Sequence, residues 1–116
     1  MEVQREIVVP APVEEVWSAL TEADKLEEWF ANDVELDLEP GGLGTFRWDD
    51  GEERHVVVEE VVPERRFAFT WDESHVEIEL AEVDAGTRVL VRETAGAGWG
   101  SALALRALAL AAGVAA

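Results

Sequence analysis

From residue 34 to residue 93 the chain alternates apolar and polar side chains in six short runs, each closed by a turn signal. Such a pattern leaves little room for anything but an antiparallel sheet. The runs are 34–38, 44–48, 54–62, 66–71, 75–83 and 87–93, rich in Val, Phe, Thr and Trp. Between them stand Pro40-Gly41-Gly42, Asp49-Asp50-Gly51, Pro63-Glu64, Asp72-Glu73 and Asp84-Ala85-Gly86. Phe67, Phe69 and Trp71 alternate with Arg66, Ala68 and Thr70, while Val76, Ile78 and Leu80 alternate with His75, Glu77, Glu79 and Ala81. Successive side chains on a strand point to opposite faces, so the sheet buries the first set and wets the second.

The period differs on either side of this block. Val13, Val16, Trp17 and Leu20 fall at i, i+3, i+4 and i+7, one apolar stripe of a helix, with Glu14 and Glu15 in the first turn where the macrodipole favours negative charge. Pro12 suits the first helical position, since its missing N–H would have no partner there. A second helix is expected to begin at Thr21, its hydroxyl capping a free N–H and Asp24 following three residues on, and to present Leu26, Trp29 and Phe30 to the core. One strand, Val3 to Val9, precedes both. From Gly98 the pattern is helical again: Trp99, Leu103, Leu105, Leu108 and Leu110 are interrupted only by Ala, Ser101 and Arg106, which implies burial over most of the circumference.

With 116 residues and 48% hydrophobic content, the chain reads as one domain, 1–116, able to bury a core without staples. Cysteine is absent, which excludes disulfides and thiolate chemistry. The N-terminus lacks the basic region and apolar run of an export signal, and the Ala-rich tail from Gly100 to Ala116 is too short to span a bilayer comfortably and carries Arg106. A cytoplasmic location is therefore expected. The formal charge is −17, with 26 acidic residues against 9 basic ones, and Lys25 is the sole lysine. Arginines at 5, 47, 54, 65, 66, 88, 92 and 106 are scattered among Glu and Asp. Phosphate backbones and anionic lipid surfaces are repelled by such a chain, so neither a nucleic-acid nor a membrane partner is expected.

Chemical motifs are sparse. Pro40-Gly41-Gly42-Leu43-Gly44 precedes a strand rather than opening a helix, so it reads as a hairpin turn and not as a phosphate cradle. Asp49-Asp50-Gly51-Glu52-Glu53 lacks the alternating ligand spacing and closing Glu of a calcium loop. His55 and His75 lie on different strands, with His75 on the face of Glu77 and Glu79; Ser18, Ser74 and Ser101 have no nucleophile-elbow context. No catalytic residue, metal site or cofactor is expected from these. Glu93 is the exception to solvation, because it shares the parity of Val89 and Val91. Either its carboxylate points between the sheet and the terminal helix, where it could hydrogen-bond a ligand or act as acid or base, or the strand ends there and solvent returns.

The order strand, two helices, six strands, helix, together with the residues that mark it, resembles the START-like (SRPBCC) helix-grip superfamily, in the subgroup related to the C-terminal domain of the activator of Hsp90 ATPase. The residues carrying the resemblance are Ala11-Pro12 with Val16-Trp17-Ser18-Ala19-Leu20-Thr21, Leu26-Glu27-Glu28-Trp29-Phe30, Pro40-Gly41-Gly42, the run Val62 to Trp71, Gly86-Thr87-Arg88-Val89 and Glu93-Thr94-Ala95-Gly96 before Gly98-Trp99. The fold it implies is α+β: an antiparallel sheet of six to seven strands curved around a C-terminal helix, with two short helices after the first strand.

That resemblance implies an apolar cavity between sheet and terminal helix, the usual form of a small-molecule site. Its expected lining is Trp29, Phe46, Trp48, Phe69, Trp71, Ile78, Val91 and Trp99, with Glu93 as a polar anchor. The terminal helix departs from the family in being short and filled with Ala, which either widens the cavity or lets sheet and helix approach closely. Non-catalytic binding of a hydrophobic small molecule is the leading expectation. A co-chaperone-like interaction module is the second; it is expected to be hampered by the lack of the co-chaperone's separate N-terminal domain. An enzyme of the cyclase or lyase type, using the same cavity, is the third. Monomer and homodimer are both compatible with the acidic surface and apolar helix.

Overall fold

The computed structural model describes residues 2–94, apart from the side chains of Val3 and Trp29. The expected terminal helix, and Trp99 with it, lies outside these residues. Nine elements follow one another: β1 (Glu2–Val9), α1 (Val13–Thr21), α2 (Ala23–Trp29), β2 (Asp33–Leu36), β3 (Leu43–Arg47), β4 (Glu53–Val62), β5 (Arg66–Trp71), β6 (Ser74–Val83) and β7 (Gly86–Thr94). The strands form one antiparallel sheet in the order β1-β7-β6-β5-β4-β3-β2. A six-strand meander thus ends beside the first strand, and the two helices span the excursion from one sheet edge to the other. This is the α+β arrangement expected. Among the described residues no helix is long and apolar enough to cross a membrane.

Alternation places the core on one face. Phe46, Phe67, Phe69, Val56, Val58, Val76, Ile78, Val89 and Val91 are buried there, joined by Val13, Val16 and Leu20 of α1 and Leu26 of α2. Each such side chain removed from water stabilises the fold by roughly 1.5–3 kcal/mol. Trp17, the fourth member of the α1 stripe, is only partly buried and meets the Phe67 ring edge-on at 6.3 Å.

Both helix starts differ from expectation by local hydrogen bonding. Pro12 is the N-cap of α1, extended at ψ 152°, and its carbonyl accepts from Glu15 and Val16 N–H groups at 3.1 and 3.2 Å. Thr21 ends α1 rather than capping α2: its hydroxyl donates back to the Trp17 carbonyl, four residues earlier, at 2.7 Å. Glu22 then becomes the N-cap of α2, without a side-chain cap.

Two glycine positions hold the ends of the sheet. Gly42 sits where a Cβ would lie 2.1 Å from the Asp37 carbonyl oxygen. The hairpin loop there docks on β4, with Gly41 N–H donating to Val58 O at 2.7 Å and Val58 N–H donating to Gly42 O at 2.8 Å. Directly beyond, the β4–β5 register shifts between Val58 and Glu60. The bulge lets Val58 oppose Phe69 and Val61 oppose Phe67, so both valines serve the inner face despite their odd spacing. At the other edge Gly86, φ +139°, packs where a Cβ would meet Val9 O at 2.1 Å, and the buried Thr87 hydroxyl donates to Ala11 O at 2.9 Å.

Candidate functional site

Strand register brings the inner-face residues into rows across the sheet. Ile78 of β6 opposes both Phe67 and Val91, and in the next row Val76 opposes both Phe69 and Glu93. Toward the β5–β6 turn, Trp71 opposes Ser74 and Val56, and Arg54 opposes Phe46 on β3. The face therefore grades from wholly apolar at its middle to mixed at one end, where Arg54, Ser74 and Glu93 share the inner parity with Trp71.

Aromatic rings fill that end. Phe46 and Trp71 are 5.0 Å apart between ring centroids, and Phe30 at the close of α2 lies 5.7 Å from Phe46, 5.6 Å from Trp48 and 5.8 Å from Trp71. Trp48 and Trp71 are 6.2 Å apart, and Trp71 leads on to Phe69 at 6.3 Å. Most of these pairs are edge-to-face, the orientation that ring quadrupoles favour. The Trp48 indole N–H donates to the Phe30 carbonyl at 2.8 Å, which fixes the ring and satisfies a helix C-terminal acceptor at once.

Of the residues expected to line a site, Phe46, Phe69, Trp71, Ile78 and Val91 are buried on this face, and Trp48 is half-buried within the aromatic cluster. The side chain of Trp29 and all of Trp99 fall outside the described residues. Glu93 is 5% exposed. β7 continues to Thr94, so the alternation set by Val89 and Val91 carries through Glu93, and the return of solvent does not occur at this position. Phe30, Arg54 and Ser74 were not among the expected liners. Ser74 could have been found, because it keeps the parity of Val76, Ile78 and Leu80; Arg54 becomes visible only once the β3–β4 register pairs it with Phe46.

A cleft of about 530 Å³ opens at the β5–β6 turn, its described lining being Arg54, Trp71, Asp72, Glu73 and Ser74. Such a volume lies within the ~300–1,000 Å³ of small-molecule sites. Trp71 supplies the apolar wall. Arg54 donates to Glu52 at 2.6 Å and to Asp72 at 3.3 Å, and Asp72, at φ +53°, accepts the His55 backbone N–H at 3.1 Å. Among the described residues no group of three or more His, Cys, Asp or Glu side chains is arranged to hold a metal ion.

The opposite face is a lattice of ion pairs. Arg66 bonds Glu60 and Glu77 and lies 2.8 Å from Glu79, which also faces Arg92 at 3.4 Å. His75 sits 2.7 Å from Glu59. Hydrogen bonds to Glu60 and Glu77 raise the Arg66 pKa and keep the guanidinium charged; the bond from Arg66 holds the Glu77 carboxyl below its ordinary value.

Comparison with known proteins places this geometry. The family model described as "Activator of Hsp90 ATPase homolog 1-like protein" matches residues 10–109. No curated protein matches the sequence. The crystal structure of protein MLL2253 from Mesorhizobium loti is 22% identical and superposes with a TM-score of 0.86, covering 96% of each chain. The solution structure of the Aha1 dimer from Colwellia psychrerythraea is 19% identical with a TM-score of 0.82, covering 98% of this chain and 97% of that one. DynU16, from the dynemicin biosynthetic locus, is 26% identical with a TM-score of 0.75; 98% of this chain covers 44% of it. With a family match over most of its length and solved relatives of the same fold, the chain belongs to the Activator of Hsp90 ATPase homolog 1-like family, within the START-like (SRPBCC) superfamily.

Proposed function

We propose that this protein binds a hydrophobic small molecule against the inner face of its sheet, at the end marked by Phe46, Trp48, Phe69, Trp71 and Glu93, without transforming it. The observation that carries the reading is the placement of a buried carboxylate, Glu93, in one row with Val76 and Phe69 where the apolar wall turns mixed. A wall of rings with a few convergent polar groups is what a lipophilic ligand with one polar end requires. Trp29 and Trp99 remain part of the proposed lining, from the family resemblance alone. The ligand would meet the protein in the cytoplasm.

The test is native mass spectrometry of the purified protein after incubation with a lipophilic extract of its source cells. A discrete added mass, weakened in Glu93→Gln while the fold is retained, is the expected result. No added mass across a broad extract would overturn the reading.

Two other readings have an observation behind each. The buried Glu93 carboxylate and the similarity to DynU16, a protein of a biosynthetic locus, favour an enzyme of the cyclase or lyase type; turnover of the retained compound, abolished in Glu93→Gln, would establish it in place of simple binding. The family match favours a co-chaperone-like interaction module; stimulation of an Hsp90-type ATPase would establish it. A homodimer, the state given for the Colwellia psychrerythraea relative, is the alternative to a monomer here and is read by sedimentation.

A further inference from the structure

The ligand proposed above needs a polar end, and the charges around Trp71 select its sign. Arg54 is the one cation in the described lining of the cleft, beside Asp72 and Glu73. It is already engaged: Glu52 holds it at 2.6 Å and Asp72 at 3.3 Å. Asp72 is fixed in turn by the His55 backbone N–H at 3.1 Å, so the clamp is tied to the strand and not only to flexible side chains. Glu73 makes no hydrogen bond or ion pair within the described residues that would neutralise it. One guanidinium thus stands among three carboxylates, of which Asp72 and Glu73 line the cleft and Glu52 and Asp72 hold Arg54.

A ligand carboxylate entering here would have to compete with two protein carboxylates for Arg54, next to a third. An ammonium group meets the reverse: at the rim stand Glu73, which no described cation neutralises, and Asp72, which shares the single guanidinium with Glu52. We infer that this end of the inner face selects lipophilic ammonium compounds over carboxylates of the same shape. The inference rests on the ligand-binding reading and gives it a chemical class.

Three probes with one apolar body separate the possibilities: 2-naphthylmethylamine, 2-naphthylmethanol and 2-naphthoate, titrated by calorimetry at neutral pH. Because the whole chain carries −17 and attracts cations everywhere, the titrations are run at about 0.15 M salt, where exposed charges beyond ~8 Å are screened. Two charge reversals localise the effect, Glu73→Lys at the rim and Glu14→Lys on exposed α1, since both change net charge equally. The expected result is an ammonium bound at least about tenfold more tightly than the carboxylate, the ratio set by about 1.4 kcal/mol. Glu73→Lys should erase most of that ratio and Glu14→Lys should leave it within about twofold. A carboxylate bound as tightly as the ammonium overturns the inference and leaves the ligand site standing. Equal loss of preference in both variants also overturns it, by assigning the preference to overall charge. If none of the three probes binds, the ligand site itself fails and the inference falls with it.

Discussion

The two faces of the sheet are made from the same strands, often from adjacent residues, yet they are held together by different physics. On β5, Phe67, Phe69 and Trp71 enter a buried aromatic seam, while Arg66 and Thr70, their neighbours in sequence, point the other way into partly solvated polar contacts. The inner face gains from removing apolar area from water, a gain that is non-directional and not screened by ions. The outer face gains from ion pairs whose partners remain wet, and such pairs contribute little to stability. Stability is therefore concentrated on one side of a single layer, and the same side holds the candidate site.

The largest effect that can break this division is the loss of an inner ring. Phe69→Ala should cost about 3–5 kcal/mol in urea unfolding, the range for an emptied aromatic site, whereas Thr70→Ala one residue away should stay within about 1 kcal/mol. Comparable losses at both positions would dissolve the distinction. Next is the buried hydroxyl that ties β7 to the corner after β1: Thr87→Val leaves the Ala11 carbonyl without its donor and should cost about 1–3 kcal/mol.

Arg66→Gln tests the outer face from the other side. It removes the shared partner of Glu60, Glu77 and Glu79, and about 1 kcal/mol is expected, falling further as salt is added. The smallest effect is a pH dependence. The Glu77 carboxyl lies below its ordinary value of 4.5 because Arg66 donates to it, with Arg66, His75 and Arg92 charges adding to the shift. A carboxyl depressed on folding contributes stability above its unfolded value and loses it as pH falls through the folded value. The stability difference between the parent and Glu77→Gln should accordingly narrow as pH drops below 4.5. A difference that widened on acidification would contradict the assigned direction.

Most of the sheet is legible from the chain because alternation and turn residues agree with each other. The run expected at 66–71 is β5 to the residue, and no other strand end is displaced by more than two. What could not be read arose where two local solutions compete. Thr21 can cap the helix after it or bond back to the helix before it, and only the chain path between α1 and α2 decides. Val56 to Val62 carries valines at both parities, so its bulge is invisible until the Gly41-Gly42 loop is seen docked at Val58. Within the candidate site, parity alone placed Phe69, Trp71, Ile78 and Val91 on one face and left Glu93 open between that face and solvent, and the structure puts all five among the buried residues. Arg54 escaped because its strand begins with polar residues; Phe30 was expected in the core but not at the site, because a helical stripe does not say which end of the sheet it meets.

The most direct test uses two adjacent residues of β5. Trp71→Leu and Thr70→Val are titrated with the neutral probe 2-naphthylmethanol, each checked to be folded under the titration conditions by a single cooperative unfolding transition. A loss of about tenfold or more in affinity for Trp71→Leu, with Thr70→Val matching the parent, is the predicted result. Equal affinity in both variants and the parent would mean that the aromatic seam is only a filled core.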